Sequence, residues 1–225
     1  MKKKNNILQA TGLLIASLLL MGACSSDNAI NDNNEEVVVK GKDQNTTGKI
    51  DVPITPGVVD LSDGERQMVA QGNAFAFNLM RQIDQNSQGS YILCPLSVGY
   101  VLGMLNEAAD DESRKEIMQV LGFGEATPQD VSEYYGNMLY NLPGLEEEVT
   151  LETANIPFGN SGLGISFSND FTARMQGFYQ AGIESIDFSK TADALASING
   201  WCKEHTHGMI PEILSQGRLD GFGAH

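Results

Sequence analysis

The chain is poor in the residues that most often carry chemistry. Its 225 residues hold three cysteines, three histidines and one tryptophan. Three cysteines are too few for a disulfide scaffold. Lysine and arginine number 14 against 29 aspartates and glutamates, for a net charge of −15. So acidic a chain does not seek nucleic acid or anionic membrane through its field. Beyond the first two dozen residues no apolar run is long enough to span a bilayer, which takes about 20 residues. No Gly-x-Ser-x-Gly elbow, phosphate-cradling glycine loop or internal repeat is present.

What is there begins at the N terminus. Lys2, Lys3 and Lys4 form a basic start, and Ile7 to Met21 is apolar except for Gln9, Thr11, Gly12 and Ser17. Gly22 and Ala23 then precede Cys24. This is the order of a secretory signal. Leu20-Met21-Gly22-Ala23-Cys24 resembles the lipobox of bacterial lipoproteins, which implies acylation of Cys24. The sequence thus predicts an exported protein, lipid-anchored to the cell envelope at the outer membrane or cell surface. Its membrane contact is expected through the lipid alone. The organisation expected is a signal peptide over 1–23, a flexible Asn-, Asp- and Gly-rich tether over 24–60 and an ordered domain over 61–225.

Order starts at Ser62, which has capping-box spacing to Glu65. Val69, Gly72, Phe75 or Ala76, Leu79 and Ile83 then share a helical face. Tyr91-Ile92-Leu93-Cys94 is a short apolar run expected as a buried strand. Pro95 closes it, and Ser97 is expected to cap a helix burying Val98, Val101, Leu102, Leu105 and Ala109. Ser113 and Glu116 repeat the capping-box spacing before Ile117, Val120 and Leu121, with Gly122 placed to stop the helix. Thr127-Pro128 is an N-cap followed by proline, opening a helix with Val131, Tyr134, Tyr135, Met138, Leu139 and Leu142 inward before Pro143-Gly144 breaks the run. Val149, Leu151 and Thr153 alternate with polar residues, as does Ile183 to Ile186, so both segments read as strands. Between them Ser168 caps a helix bearing Phe171, Met175 and Phe178; afterwards a helix around Leu195, Ile198 and Trp201 should end at Gly208. The class expected is α+β, with helices around a mainly antiparallel sheet.

Candidate reactive groups fall away on inspection. Cys94 lies in an apolar run without the electropositive surroundings that activate a thiol. Cys202, His205 and His207 could offer three ligands to zinc, but a structural site takes four and no second pair exists. No enzyme site, cofactor or metal is expected.

A series of short segments resembles the first part of the serpin family, from about Gln67 to Ile213. Asn73 to Leu79 is similar to that family's first core helix. Ile92-Leu93-Cys94-Pro95-Leu96-Ser97 resembles its buried strand and Ser-Pro-x-Ser step, with Cys94 in place of the first serine. Ala108 to Ser113 stands where the family has Gly-Ala-x-Gly-x-Thr, with both glycines replaced. Leu121-Gly122-Phe123, Ala154-Asn155, Asp187-Phe188, Asn199-Gly200-Trp201 and Thr206-His207-Gly208-Met209-Ile210 follow in family order. The resemblance implies a serpin-like fold and inhibition of a serine or cysteine protease, through a reactive loop that inserts into the main sheet. It implies that Cys94, Pro95 and Ser97 lie where that sheet opens, and that Asn199, Trp201, Thr206 and Gly208 mark a trunk helix. No segment resembles the reactive loop or the central strands, so these residues alone are expected to be non-inhibitory and poorly stable. The rival expectation is a surface-anchored, non-inhibitory binding module on an α+β scaffold.

Overall fold

The structure, a computed structural model, describes residues 13–22 and 58–223 apart from 147. Cys24 and residues 24–57 of the expected tether lie outside the described residues. The elements in order are β1 (Leu13–Gly22), α1 (Asp63–Asn86), α2 (Pro95–Ala108), α3 (Asp111–Leu121), α4 (Pro128–Asn141), β2 (Thr150–Asn160), α5 (Asn169–Tyr179), β3 (Glu184–Ile186), α6 (Thr191–His205) and α7 (Gln216–Gly223). The sheet runs β1-β2-β3. Thus the apolar stretch of the expected signal is drawn as a strand beside β2. No described helix is long and apolar enough to cross a membrane.

The chain divides into two compact units. One gathers α1 to α5 with the first residues of β2. Its helices start where side chains can satisfy their free N–H groups. Ser62 Oγ accepts from Glu65 N at 3.2 Å while Ser62 N donates to Glu65 Oε2 at 2.7 Å. Thr127 and Asp130 form the same reciprocal pair on α4. Those bonds, the Thr127 backbone N–H first, hold the Asp130 carboxyl below its usual range. Each cap is worth about 1 kcal/mol. On α3 the cap is Asp110, whose carboxylate accepts from Ser113 N at 2.9 Å, not the expected Ser113–Glu116 box. Aspartate three residues upstream intercepts the N–H that a serine cap would otherwise leave unpaired. Gly122 ends α3 with φ +74°, as expected of a residue free to turn left-handed.

The core of this unit is aromatic. Tyr100, Met104, Phe123, Tyr134, Tyr135, Met138, Phe171, Met175 and Tyr179 are buried. Tyr100 and Tyr135 meet edge to face at 5.4 Å, and Tyr134 lies 5.1 Å from Tyr135. The inward face of α2 differs from the expected one. Gly99, Tyr100, Gly103 and Met104 are buried, whereas Val98, Val101 and Leu102 are only partly so. Two glycines turn that side into a trough for rings: a Cβ on Gly103 would sit 2.7 Å from both Tyr135 Cδ2 and Tyr179 Oη. On α3, Met118 and Leu121 point inward and Val120 is exposed, one position off the expectation.

The other unit takes the rest of β2 with β3, α6 and α7. Ile156, Phe158, Phe188, Ala194, Ile198 and Leu219 form its core. Trp201 packs against it from the margin. The strand expected around Val149 to Thr153 runs further, to Asn160, and its last six residues are all buried. β2 and β3 pair in parallel, Phe158 opposite Glu184 and Asn160 opposite Ile186. The expected α+β class stands, and this one pair within the sheet is parallel. The helix-containing connection from β2 to β3 is what a parallel pair requires.

Candidate functional site

The residues singled out from sequence fall into two groups, one in each unit. Cys94, Pro95 and Ser97 stand at the start of α2. Tyr91 to Cys94 is not a strand but extended chain, and Ile92 is fully exposed at 103 %. No described strand lies beside it to take its backbone groups, and an unpaired extended segment is not a strand. Cys94 itself is the N-cap, with φ −113° and ψ 95°, and its side chain makes no capping bond. The reason is chemical: a thiol is a weaker acceptor than the hydroxyl that N-caps normally use. Pro95 fills the first helical position, where its missing N–H costs nothing. Ser97 is not a cap. It lies inside the first turn, and its Oγ is buried with no hydrogen-bond partner among the described residues.

Asn199, Trp201, Thr206 and Gly208 are brought together at the C-terminal half of α6 and the turn after it. Asn199 acts as a clamp. Its Oδ1 accepts from Ile213 N at 2.9 Å and Leu214 N at 3.0 Å, and its Nδ2 donates to Leu214 O at 2.9 Å. Thr206 is buried, and its Oγ1 accepts from Ile210 N at 3.0 Å. Gly208 turns left-handed at φ +79° and donates its N–H to Lys203 O at 2.7 Å, closing the helix. The Trp201 ring stacks on His205 at 4.3 Å, and His205 Nδ1 lies 2.9 Å from Trp201 O. Cys202 is buried one residue along, and burial raises its thiol pKa. Among the described residues no three of His, Cys, Asp and Glu are placed to hold a metal ion.

Sequence reasoning missed a third constellation, in the helical unit. Glu107 on α2 and Arg174 on α5 form a forked ion pair, Nε to Oε2 at 2.5 Å and Nη2 to Oε1 at 2.7 Å. The side chains are 6 % and 21 % exposed. Ser132 Oγ donates to Glu107 Oε1 and lies 3.2 Å from Tyr179 Oη. Arg174 Nη1 donates to Gln129 Oε1 at 2.8 Å, and the guanidinium sits 5.2 Å from the Phe178 ring centre. The bonds to Glu107 raise the Arg174 pKa against the opposing effect of burial. The 67-residue separation hid the pair; a glutamate near the end of an apolar helix was its one signal. The network ties α2, α4 and α5 together. Held so, the two charges neutralise each other.

Asn160 was missed as well. Buried at the end of β2, its Oδ1 accepts from Gly162 N at 3.1 Å and Phe188 N at 3.2 Å. It joins the exit of β2 to the segment after β3.

Comparison with known proteins gives a coherent result. Residues 70–222 match the family model Serpin, described as serine protease inhibitor. The chain is 30% identical over 156 residues to Serpin B6 of Pongo abelii, covering 68% of this chain and 41% of that protein. It is 30% identical over 150 residues to the leukocyte elastase inhibitor of Xenopus tropicalis, 66% of this chain and 39% of that protein. Among solved structures, an Arabidopsis serpin in its native stressed conformation superposes with a TM-score of 0.61 at 22% identity, over 71% of this chain and 41% of that one. The chain therefore spans about two-fifths of the length of the curated relatives it matches. The bare expectation of no enzyme needs correcting in its terms, because the family's description is an action on proteases, a positive role in place of an absence.

Proposed function

The chain belongs to the serpin family, and from that premise we propose that it is the N-terminal portion of a lipid-anchored, serpin-type inhibitor of a serine endopeptidase. The observation that carries this is the family match over residues 70–222, which takes in every element from α2 to α6. A relative named leukocyte elastase inhibitor makes elastase-like enzymes the first targets to try. Cysteine proteases are the second class.

In this reading residues 1–23 are the export signal, Cys24 carries the lipid, residues 24–60 are the tether and 61–225 belong to the serpin-like domain. The protein is exported and held at the outer membrane or cell surface, its lipid the one attachment. The first unit supplies helices α1 to α5, and the second supplies most of β2 together with β3. Protease trapping requires, beyond these, the reactive loop and the strands that receive it. Residues 1–225 alone are therefore expected not to trap a protease.

The test is a gel-shift assay on the protein isolated from its native membrane fraction with detergent. It is incubated with elastase-, trypsin- and chymotrypsin-like enzymes and a papain-like one. A complex that survives boiling in detergent and contains peptides of this chain supports inhibition. Reversible capture of ligand with no such complex on any enzyme refutes it and favours the binding module. Lipidation is tested apart from this, by labelling with an alkynyl fatty acid in the wild type and in Cys24→Ala.

A further inference from the structure

The sequence contains one Asn-Gly step, Asn199-Gly200, and it falls inside α6. Asparagine before glycine is the pairing most open to spontaneous deamidation, because no Cβ shields the next backbone nitrogen from the side-chain amide. A right-handed helix suppresses the reaction by holding that nitrogen away from Cγ, yet glycine is also the residue that weakens a helix interior. A second restraint acts on the side chain itself. Asn199 Oδ1 accepts from Ile213 N at 2.9 Å and Leu214 N at 3.0 Å, and Nδ2 donates to Leu214 O at 2.9 Å. The amide that would react is thus tied to a segment fourteen and fifteen residues further on. That segment leaves α6 through a strained turn: His207, which carries a Cβ, sits left-handed at φ +50° directly before Gly208 at φ +79°.

We infer that Asn199 is a gated deamidation site: the clamp to residues 213–214 keeps its side chain from the Gly200 nitrogen, and opening of the clamp commits it. In the open state the Gly200 nitrogen gives its proton to solvent base and bonds to Asn199 Cγ. The Cγ–Nδ2 bond breaks, and Nδ2 takes a proton from water and leaves as ammonia. Water then adds to either carbonyl of the five-membered imide and opens it to aspartate or isoaspartate. The sum is one water consumed and one ammonia released. Neither product restores the clamp. Aspartate has no N–H for Leu214 O and sets an anionic oxygen against it, while isoaspartate adds a methylene to the backbone in mid-helix. The change is one-way, and it is independent of whether the protein traps a protease.

Lys190 and Lys203 bracket the site, so trypsin releases residues 191–203 with Asn199 as the sole asparagine. The full-length protein is held at mildly alkaline pH in heavy-oxygen water, which marks events that precede digestion, and the acid form of that peptide is followed by mass spectrometry. Asn199 in the folded protein should react at least about tenfold more slowly than in a synthetic peptide of residues 191–203. Ile213→Pro and Leu214→Pro each remove one donor to Oδ1 and should each speed the reaction about fivefold. Glu107→Ala, which loosens the other unit, should leave the rate unchanged. A folded protein that reacts as fast as the peptide overturns the proposal, as do proline variants that react no faster than wild type. An equal acceleration by Glu107→Ala also overturns it, because global unfolding would then be the gate. Where a proline variant fails to fold, the urea dependence of the wild-type rate decides: a slope well below that of unfolding supports a local gate, and an equal slope refutes it. The acidic species, separated by ion exchange, should exchange its α6 amides faster than unmodified protein; equal exchange would show that the clamp re-forms.

Discussion

Removing the carboxylate of Glu107 should cost more than removing both members of its ion pair. In the wild type the Glu107 carboxylate, 6 % exposed, holds the Arg174 guanidinium, 21 % exposed, through two bonds. Glu107→Ala strands that cation, and Ser132 Oγ loses an acceptor. Breaking a buried pair by losing one partner typically costs 3–5 kcal/mol. Arg174 is one-fifth exposed and keeps Gln129 and the Phe178 face, so a discounted loss of about 2 kcal/mol is expected. Glu107→Leu with Arg174→Met replaces the pair by apolar bulk and should recover most of that loss. The assay is urea unfolding of the full chain followed by circular dichroism. With a slope of about 2 kcal/mol per molar, the single variant should move its midpoint down by about 1 M. The double variant should lie within about 0.3 M of wild type. A single variant within 0.2 M of wild type would refute the reasoning, as would a double variant whose loss equals the sum of both singles.

Three further outcomes follow from local geometry. Gly103→Ala places a methyl 2.7 Å from Tyr135 Cδ2 and Tyr179 Oη, both on buried rings. It should lower the thermal midpoint even though alanine favours a helix by about 1 kcal/mol; a raised midpoint counts against the close packing described. Cys94→Ser restores a capping acceptor at a position with no side-chain cap, and should raise the midpoint by an amount worth about 0.5–1 kcal/mol; no change would show that Cys94 Sγ already serves the helix. Burial first, and Glu65's charge second, push the Tyr134 pKa to about 12. Burial raises Tyr100, Tyr135 and Tyr179 as well. A tyrosine in the unfolded chain ionises near 10, so the neutral buried phenols contribute stability that is intact below pH 10 and lost as pH rises toward 12. Urea midpoints between pH 8 and 12 should therefore stay level and then fall, and a midpoint flat to pH 12 contradicts the burial.

α1 and α4 were legible because each carried two agreeing signals, a cap and an apolar face, whereas α7 was not expected at all. Thr127-Pro128 with an inward run of Val131, Tyr134, Tyr135, Met138, Leu139 and Leu142 left α4 no alternative; the structure buries the first five and leaves Leu142, past the helix end, partly exposed. The inward side of α2 was not legible, because Gly99 and Gly103 bear no side chain to register on a hydrophobic pattern. What they admit comes from α4 and α5. The run Tyr91 to Cys94 read as a strand on composition alone, yet a strand needs a partner, and none is described beside it. In the candidate site, Asn199, Thr206 and Gly208 were found through family resemblance, and their roles as clamp, turn acceptor and left-handed stop emerged only from geometry. Glu107 with Arg174 stayed hidden because pairing across 67 residues leaves no local trace.

The two glycines of α2 also set the order in which this core can drift. A Cβ on Gly99 would meet Tyr135 Oη at 2.7 Å, with ring carbons at 3.2 Å. Loss of that one hydroxyl, by Tyr135→Phe, removes the worst of the conflict and opens position 99 to alanine or serine. Position 103 gains little from the same change, because ring carbons at 2.7 and 2.9 Å and Tyr179 Oη at 2.7 Å remain in its way. Among descendants of this sequence, position 99 can vary once residue 135 has become phenylalanine. Position 103 stays glycine until the Tyr135 ring and the Tyr179 hydroxyl have both gone. Two residues one helical turn apart are thus released by different numbers of mutational steps, and the spacing of α2 from its neighbours outlasts the tyrosine that first required it.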